Sequence, residues 1–207
     1  EISNSSLDTK KRRFFDTPSV VKVTDTEFSN ESNYDYVLIG TGYRSHPLNT
    51  EVEDRFYAFR DFFTGANEME DFDGDNVSES VDGYPQTSGS PYSDSDLVDV
   101  TTTILDGSDS SHKDAGGWFY DFTAAGVTGE KVLSSPITIA GIVTFTTFAP
   151  EASSSSNPCG ASLGEGTAYA FNILSADAAL DFDGDGDIDI NDRTFQLSGG
   201  IPSSVVP

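Results

Sequence analysis

Short runs of β-branched and aromatic residues, separated by Gly, Pro, Asp and Ser, set the texture of this chain. Thr17-Pro18-Ser19-Val20-Val21-Lys22-Val23 reads as a strand, as do Tyr34 to Gly42 and Arg55 to Arg60. Residues 64–116 are acidic and rich in Ser, Gly and Asp, which predicts an inserted loop with one strand over Leu97–Leu105. Order returns at Gly117-Trp118-Phe119-Tyr120-Asp121-Phe122. Two further strands, Pro136 to Ile139 and Ile142 to Phe148, flank Ala140-Gly141, a two-residue hairpin turn. Residues 151–165 form a loop containing Cys159, and Thr167 to Leu174 is one more strand. No segment carries a convincing helical period. The expected class is all-β.

An internal repeat sets the expected architecture. Tyr57-Ala58-Phe59 is followed by Asp71-Phe72-Asp73-Gly74-Asp75, and Tyr169-Ala170-Phe171 by Asp181-Phe182-Asp183-Gly184-Asp185. The gaps are 14 and 12 residues. A Pro-led strand start recurs at Pro18, Pro136 and Pro202. Repeated units of about four strands are the sequence form of propeller blades. The chain is therefore expected to be a partial β-propeller: two four-stranded blades and the start of a third, with long loops. Residues 1–13 would be a basic arm or linker, and 14–207 the propeller portion. The first blade would span 14–122, carrying the 64–116 insertion, and the second 131–200. A β-sandwich is the plainer alternative. Two blades cannot close a ring, so the chain is expected to be a piece of something longer or to be completed by another part.

The second acidic run has the spacing of an EF-hand-like calcium loop over 181–192. Asp181, Asp183 and Asp185 fall at positions 1, 3 and 5, and Gly186 at the sharp turn. Asp187 offers its carbonyl at 7, Asp189 sits at 9 and Asp192 closes at 12. Starting at Asp183 instead would put Ile188 at the turn, where a β-branched residue is disfavoured. In the chosen register Ile188 falls at 8 and can point inward. Asp192 stands where Glu is commoner, and it reaches less far. The first acidic run is a second candidate metal loop, with Asp71, Asp73, Asp75, Val77, Glu79 and Asp82 at the corresponding positions. There Asn76 replaces the turn glycine. A hard dication ligated by oxygen relieves the repulsion among such carboxylates, so the expected cofactor is Ca2+.

Charge narrows the function further. Acids outnumber bases 35 to 11, giving a net charge of −24. That excludes nucleic acid as a partner, because phosphate contacts need Lys and Arg. It suits an extracellular protein in calcium-bearing medium. Cys159 is the only cysteine, so no intrachain disulfide is expected. No apolar run approaches the roughly 20 residues of a membrane span. His46 and His112 are far apart and lack a Cys partner, and there is no nucleophile elbow. The chain is expected not to be an enzyme. Gly40-Thr41-Gly42 lacks the third glycine of a phosphate cradle and reads as a place of close packing, with Arg44 bracing the turn. Trp118 and its aromatic neighbours read as packing between blades.

Gly40-Thr41-Gly42-Tyr43-Arg44-Ser45-His46-Pro47-Leu48 followed by Arg55-Phe56-Tyr57 is similar to the C-terminal propeller of PilY-type proteins. The likeness continues through Arg12-Arg13-Phe14-Phe15, Gly117-Trp118-Phe119 and Gly129 to Pro136. It extends to Phe145-Thr146-Thr147-Phe148-Ala149-Pro150, Cys159-Gly160 and Tyr169-Ala170-Phe171 with the acidic loop. PilY-type proteins are assembly factors and adhesins at the tip of type IV pili. The resemblance implies a quinoprotein-like propeller that binds calcium, has no catalysis of its own and supports pilus extension and adhesion. It implies a place at the cell surface, on the pilus tip or fimbrium. The implied partners are minor pilins or the remainder of a larger tip protein, and a host or surface ligand. Two alternatives share the sequence features: a structural subunit of an extracellular filament, and a fragment of a quinoprotein-dehydrogenase-like propeller.

Overall fold

Along Asn33–Gly40 buried residues alternate with half-exposed ones, the period of a strand with one face inward. The same physics builds ten strands in the computed structural model, which describes residues 11–30, 32–61, 93–123, 127–151, 164–197 and 199–205. The strands are β1 (Ser19–Thr24), β2 (Asn33–Gly40), β3 (Arg55–Asp61), β4 (Val98–Asp99) and β5 (Gly117–Asp121). β6 (Lys131–Val132), β7 (Ile137–Ile139), β8 (Ile142–Ala149), β9 (Glu165–Asn172) and β10 (Thr194–Gln196) follow. The class is all-β, in two sheets. The first has the order β1-β2-β3-β5-β4. The second runs β10-β9-β8-β6, with β7 also on β8.

Both sheets share one plan. β1, β2, β3 and β5 form an antiparallel meander, and so do β7, β8, β9 and β10. In each meander the repeated Tyr-Ala-Phe lies on the third strand. The acidic loop 181–192 occupies the connection from that strand to the fourth. Its counterpart, with Asp71, Asp73, Asp75, Val77, Glu79 and Asp82, lies outside the described residues, as does Cys159.

The two meanders do not present the same face to the shared core. Tyr169 and Phe171 pair with Phe145 and Val143, and all four lie in the central core. Tyr57 and Phe59 pair with Ile39 and Val37. Tyr57, Phe59 and Ile39 belong to a separate cluster with Phe119 and Leu97 on the other side of the first sheet. The core face of the first sheet carries Tyr36, Leu38, Phe56, Ala58, Trp118 and Tyr120 instead. The sheets therefore stack front to back.

That core is aromatic. Phe56 stacks on Phe145 with ring centroids 3.9 Å apart, joining the sheets. Trp118 is fully enclosed and its Nε1 donates to the Ile173 carbonyl at 3.0 Å, as its expected packing role requires. Gly40 and Gly42 carry a second close approach. A Cβ on Gly40 would lie 2.2 Å from Val132 Cγ2, and one on Gly42 would lie 2.2 Å from the Val132 carbonyl oxygen. The Gly-Thr-Gly stretch is thus the packing point expected of it. Arg44 reaches the Leu133 carbonyl and lies 3.9 Å from Asp16.

Some expectations need correction. Only Val98–Asp99 of Leu97–Leu105 is strand. Asp99 Oδ1 accepts from the Thr101 N–H at 2.9 Å and turns the chain away from the ladder. A one-turn helix, α1 (Ser110–Asp114), was not foreseen. It is capped by the Asp109 side chain and held at its C-terminal end by Arg60, which donates to the carbonyls of His112 and Ala115. Residues 201–205, expected to open a third blade, form no strand. They cross the outer face of the second sheet, where Thr146 Oγ1 donates to the Ser203 carbonyl at 3.2 Å and Pro202 covers Gly166.

Candidate metal centre

The acidic loop leaves β9 through a tight reversal in which Asn172 Oδ1 accepts the Leu174 N–H at 2.9 Å and Ala176 adopts a positive φ of 57°. It rejoins β10 through a 3-10 turn at Ile190–Arg193, capped by Asp189. Between these anchors each early aspartate accepts N–H groups further along the chain. Asp181 accepts from Gly184 at 2.6 Å and Gly186 at 3.1 Å; Asp183 accepts from Asp185, and Asp185 from Asp187. Gly186 takes the turn at φ 95°, as its position required, and Gly184 does so at φ 75°.

This winding brings Asp181, Asp183 and Asp185 together. One carboxylate oxygen from each lies within 4.8 Å of the others, and all three residues are exposed. Oxygens on opposite sides of a calcium ion, at roughly 2.4 Å each, stand about that far apart. All three donors are hard oxygens and among the described residues no His or Cys joins them, a set suited to calcium rather than to a softer metal.

The later expected ligands, Asp187, Asp189 and Asp192, fall outside that trio. Asp189 accepts the Asn191 N–H at 2.7 Å and its side-chain amide at 3.2 Å. Asp192 is only 2% exposed. Its Oδ1 accepts from Phe182 at 2.9 Å and Asp183 at 3.2 Å, and its Oδ2 from Asp189 at 3.0 Å. Both oxygens are thus committed to the backbone, and Asp192 staples the two ends of the loop. The hydrogen bonds from the N–H groups of Asp189, Phe182 and Asp183 hold its carboxyl below the usual carboxylate range. Asp187 is exposed, with its own N–H bonded to Asp185. Ile188, expected to point inward, is 56% exposed. The 3-10 cap turns position 8 outward, and Phe182 instead covers the loop's base against Phe195 at 5.6 Å.

Sequence reasoning did not single out the charges enclosed between the sheets. Arg193, directly after the loop, is buried. It donates to the carbonyls of Val100, at 2.7 Å, and Thr103, and its guanidinium lies 5.5 Å from the Phe171 ring. Lys131 is equally enclosed, its ammonium donating to Pro47 at 2.9 Å, Asn49 at 2.8 Å and Gly129. Asp54 accepts from Thr41 Oγ1 at 2.7 Å through Oδ1, while its Oδ2 is buried with no hydrogen-bond partner among the described residues. Burial pushes this carboxyl up to about 6, against the pull of Thr41, Lys131 and Arg12. Glu130 accepts from Thr147 Oγ1 and from the Tyr169 hydroxyl, the latter at 2.8 Å. The available signal was the scarcity of bases: Lys131 and Arg193 are two of only 11, each beside an acid, at the start of β6 and just before β10.

The histidines have structural roles. His112 Nδ1 accepts the Asp106 N–H at 2.8 Å, and the His46 ring lies 4.6 Å from that of Tyr43. Among the described residues no helix is long and apolar enough to cross a membrane.

No family model and no curated protein matches the chain. Among solved structures it is similar to the crystal structure of the PilY1 C-terminal domain of Pseudomonas aeruginosa, at 15% identity and a TM-score of 0.48. The match covers 86% of this chain and 35% of that one, so the chain spans about a third of its length.

Proposed function

We propose that the chain is a calcium-binding, non-enzymatic propeller segment of a type IV pilus tip-associated assembly and adhesion factor, acting outside the cell. Its partners would be minor pilins or the remainder of a larger tip protein, with a host or surface ligand beyond. Two supports are independent. The ordered motifs from Arg12 to the acidic loop resemble PilY-type proteins. The front-to-back stacking of two equivalent meanders favours successive blades, since a sandwich has no reason to alternate its faces this way.

The observation that carries the calcium reading is the convergence of Asp181, Asp183 and Asp185 in the connection where the repeat recurs. A bound ion would offset the mutual repulsion of these carboxylates. The loop's far end continues directly into Arg193, which grips Val100 and Thr103 beside the first sheet. Ordering the loop would therefore steady the junction of the sheets. Thermal unfolding with calcium and with chelator tests this. A ligand at a hundred times its Kd contributes about 2.7 kcal/mol. Equal midpoints in the two conditions would remove the calcium reading.

A further inference from the structure

A cleft of about 190 Å³ opens at the seam between the sheets. Its lining includes Glu130, Tyr120, Tyr169, Glu165, Thr167 and Thr194. Tyr120 comes from the first sheet; Glu165, Thr167, Tyr169 and Thr194 come from the second. At this size the cleft suits a single side chain rather than a large ligand.

Glu130 is the group that needs explaining. It is 97% enclosed, being 3% exposed, yet it lines an open cleft. Both of its hydrogen bonds, from Thr147 and Tyr169, fall on Oε1. Among the described residues none reaches Oε2. Lys131, next in sequence, commits its ammonium to the carbonyls of Pro47, Asn49 and Gly129 and makes no contact with the carboxyl. Burial raises the Glu130 carboxyl above its ordinary range, opposed by Thr147, Tyr169 and Lys131. A carboxylate in such a place is short of one charged donor.

The rest of the lining fits that donor. The second charged group is Glu165, at the exposed rim, and among the described residues no Lys or Arg lines the cleft. Two tyrosine rings flank the acid, 5.6 Å apart at 66°. A carboxylate with a free oxygen attracts a cation, whereas an anion would meet two like charges. Thr167 and Thr194 provide hydroxyls for the remaining ammonium protons.

We propose that this cleft binds an alkylammonium group, with Glu130 Oε2 as its ion-pair partner and Glu165 steering it at the rim. The group could come from a free amine or from a lysine of a partner polypeptide; the chemistry at Glu130 is the same.

Backbone amide shifts of the whole chain, titrated at pH 7 with n-butylamine, provide the test. Saturable shifts are expected at Gly166, Thr167 and Thr194. Glu130→Gln keeps an acceptor for Thr147 and Tyr169 and should weaken binding about tenfold, the loss of a charge-assisted hydrogen bond. If that variant does not fold, Glu165→Gln, at an exposed position, should weaken binding about threefold through the lost rim charge. N-acetyl-lysine methylamide binding more tightly than butylamine supports a polypeptide lysine; equal affinities support a free amine. Shifts that rise without saturation across the acidic surface would overturn the proposal. So would saturable binding that neither substitution changes.

Discussion

In the loop at 181–192 the early carboxylates face water and are held by backbone N–H groups of the loop itself. At the seam between the sheets, Asp54, Glu130, Lys131 and Arg193 are enclosed and held by hydroxyls and carbonyls from distant parts of the chain. The loop draws its early carboxylates together with hydrogen bonds from neighbours in sequence, so that part is set locally. The seam builds its contacts across separations of 84 and 93 residues, so its charges are part of the fold. The contrast extends to pH. Asp192 is held below its usual range by backbone donors, so its contribution is present above 3.8 and lost as pH falls through the lowered value. Asp54 is raised, so its contribution is present below 3.8 and lost as pH rises through about 6. Acid weakens the loop and relieves the seam.

The largest expected effect is at the residue that joins the two regions. Arg193→Ala removes the donors to Val100 and Thr103 and the packing over Phe171. It should cost about 3 kcal/mol in urea unfolding, as unpaired buried carbonyls and a cavity add. Arg193→Met restores the stem and should recover part of this. A loss below about 1 kcal/mol, the range of an ordinary surface change, would mean that the clasp does not hold the sheets together.

Next in size is the pH arm of the seam. Raising Asp54 from 3.8 to about 6 corresponds to about 3 kcal/mol of stability lost between acid and neutral pH. Asp54→Asn keeps the acceptor for Thr41 and carries no charge. The variant should show no such decline between pH 4 and 6 in unfolding midpoints, while the wild type does. Parallel profiles for the two proteins would contradict the assignment to Asp54.

Calcium comes third, and it addresses the loop alone. Asp183→Asn should abolish most of the roughly 2.7 kcal/mol gained at a hundred times the Kd, while leaving the chelated protein's midpoint nearly unchanged. The Asp192 equivalent should behave differently. Asp192→Asn should lower the midpoint even in chelator, because its carboxylate holds the N–H groups of Phe182, Asp183 and Asp189. If both substitutions acted only in calcium, Asp192 would be a ligand and not a staple.

The strands were legible because their pattern is local. β2, β3, β5, β8 and β9 lie within a few residues of the runs that announce them, and Ala140-Gly141 makes its turn with φ of 51° and 81°. Local chemistry also located the acidic loop and its turn glycine. What sequence could not assign was the choice each aspartate makes between an ion and a backbone N–H, since both satisfy the same oxygen. Asp181, Asp183, Asp185, Asp189 and Asp192 all accept backbone N–H groups here, so that bond does not distinguish one aspartate from another. α1 has no apolar period to reveal it, and it depends on Arg60 from a strand 52 residues earlier. The enclosed charges were hidden for the same reason: their partners are remote, and nothing beside Glu130 or Asp54 in sequence marks them as buried.

The smallest effect is expected at Ile188, and it sharpens the contrast because the two regions would react oppositely to a lost apolar side chain. Any enclosed seam residue is costly to truncate. Ile188 is 56% exposed, so Ile188→Ser in chelator should change stability by less than about 0.5 kcal/mol. In calcium the outcome is informative. If ion binding draws position 8 inward, as the spacing of the loop first implied, the same substitution should weaken calcium affinity several-fold while the chelated protein stays as it was. An unchanged affinity would mean that the loop closes on its ion with Ile188 still outside. The ion would then need only the early aspartates, and the staple at Asp192 would already hold the loop in its binding form.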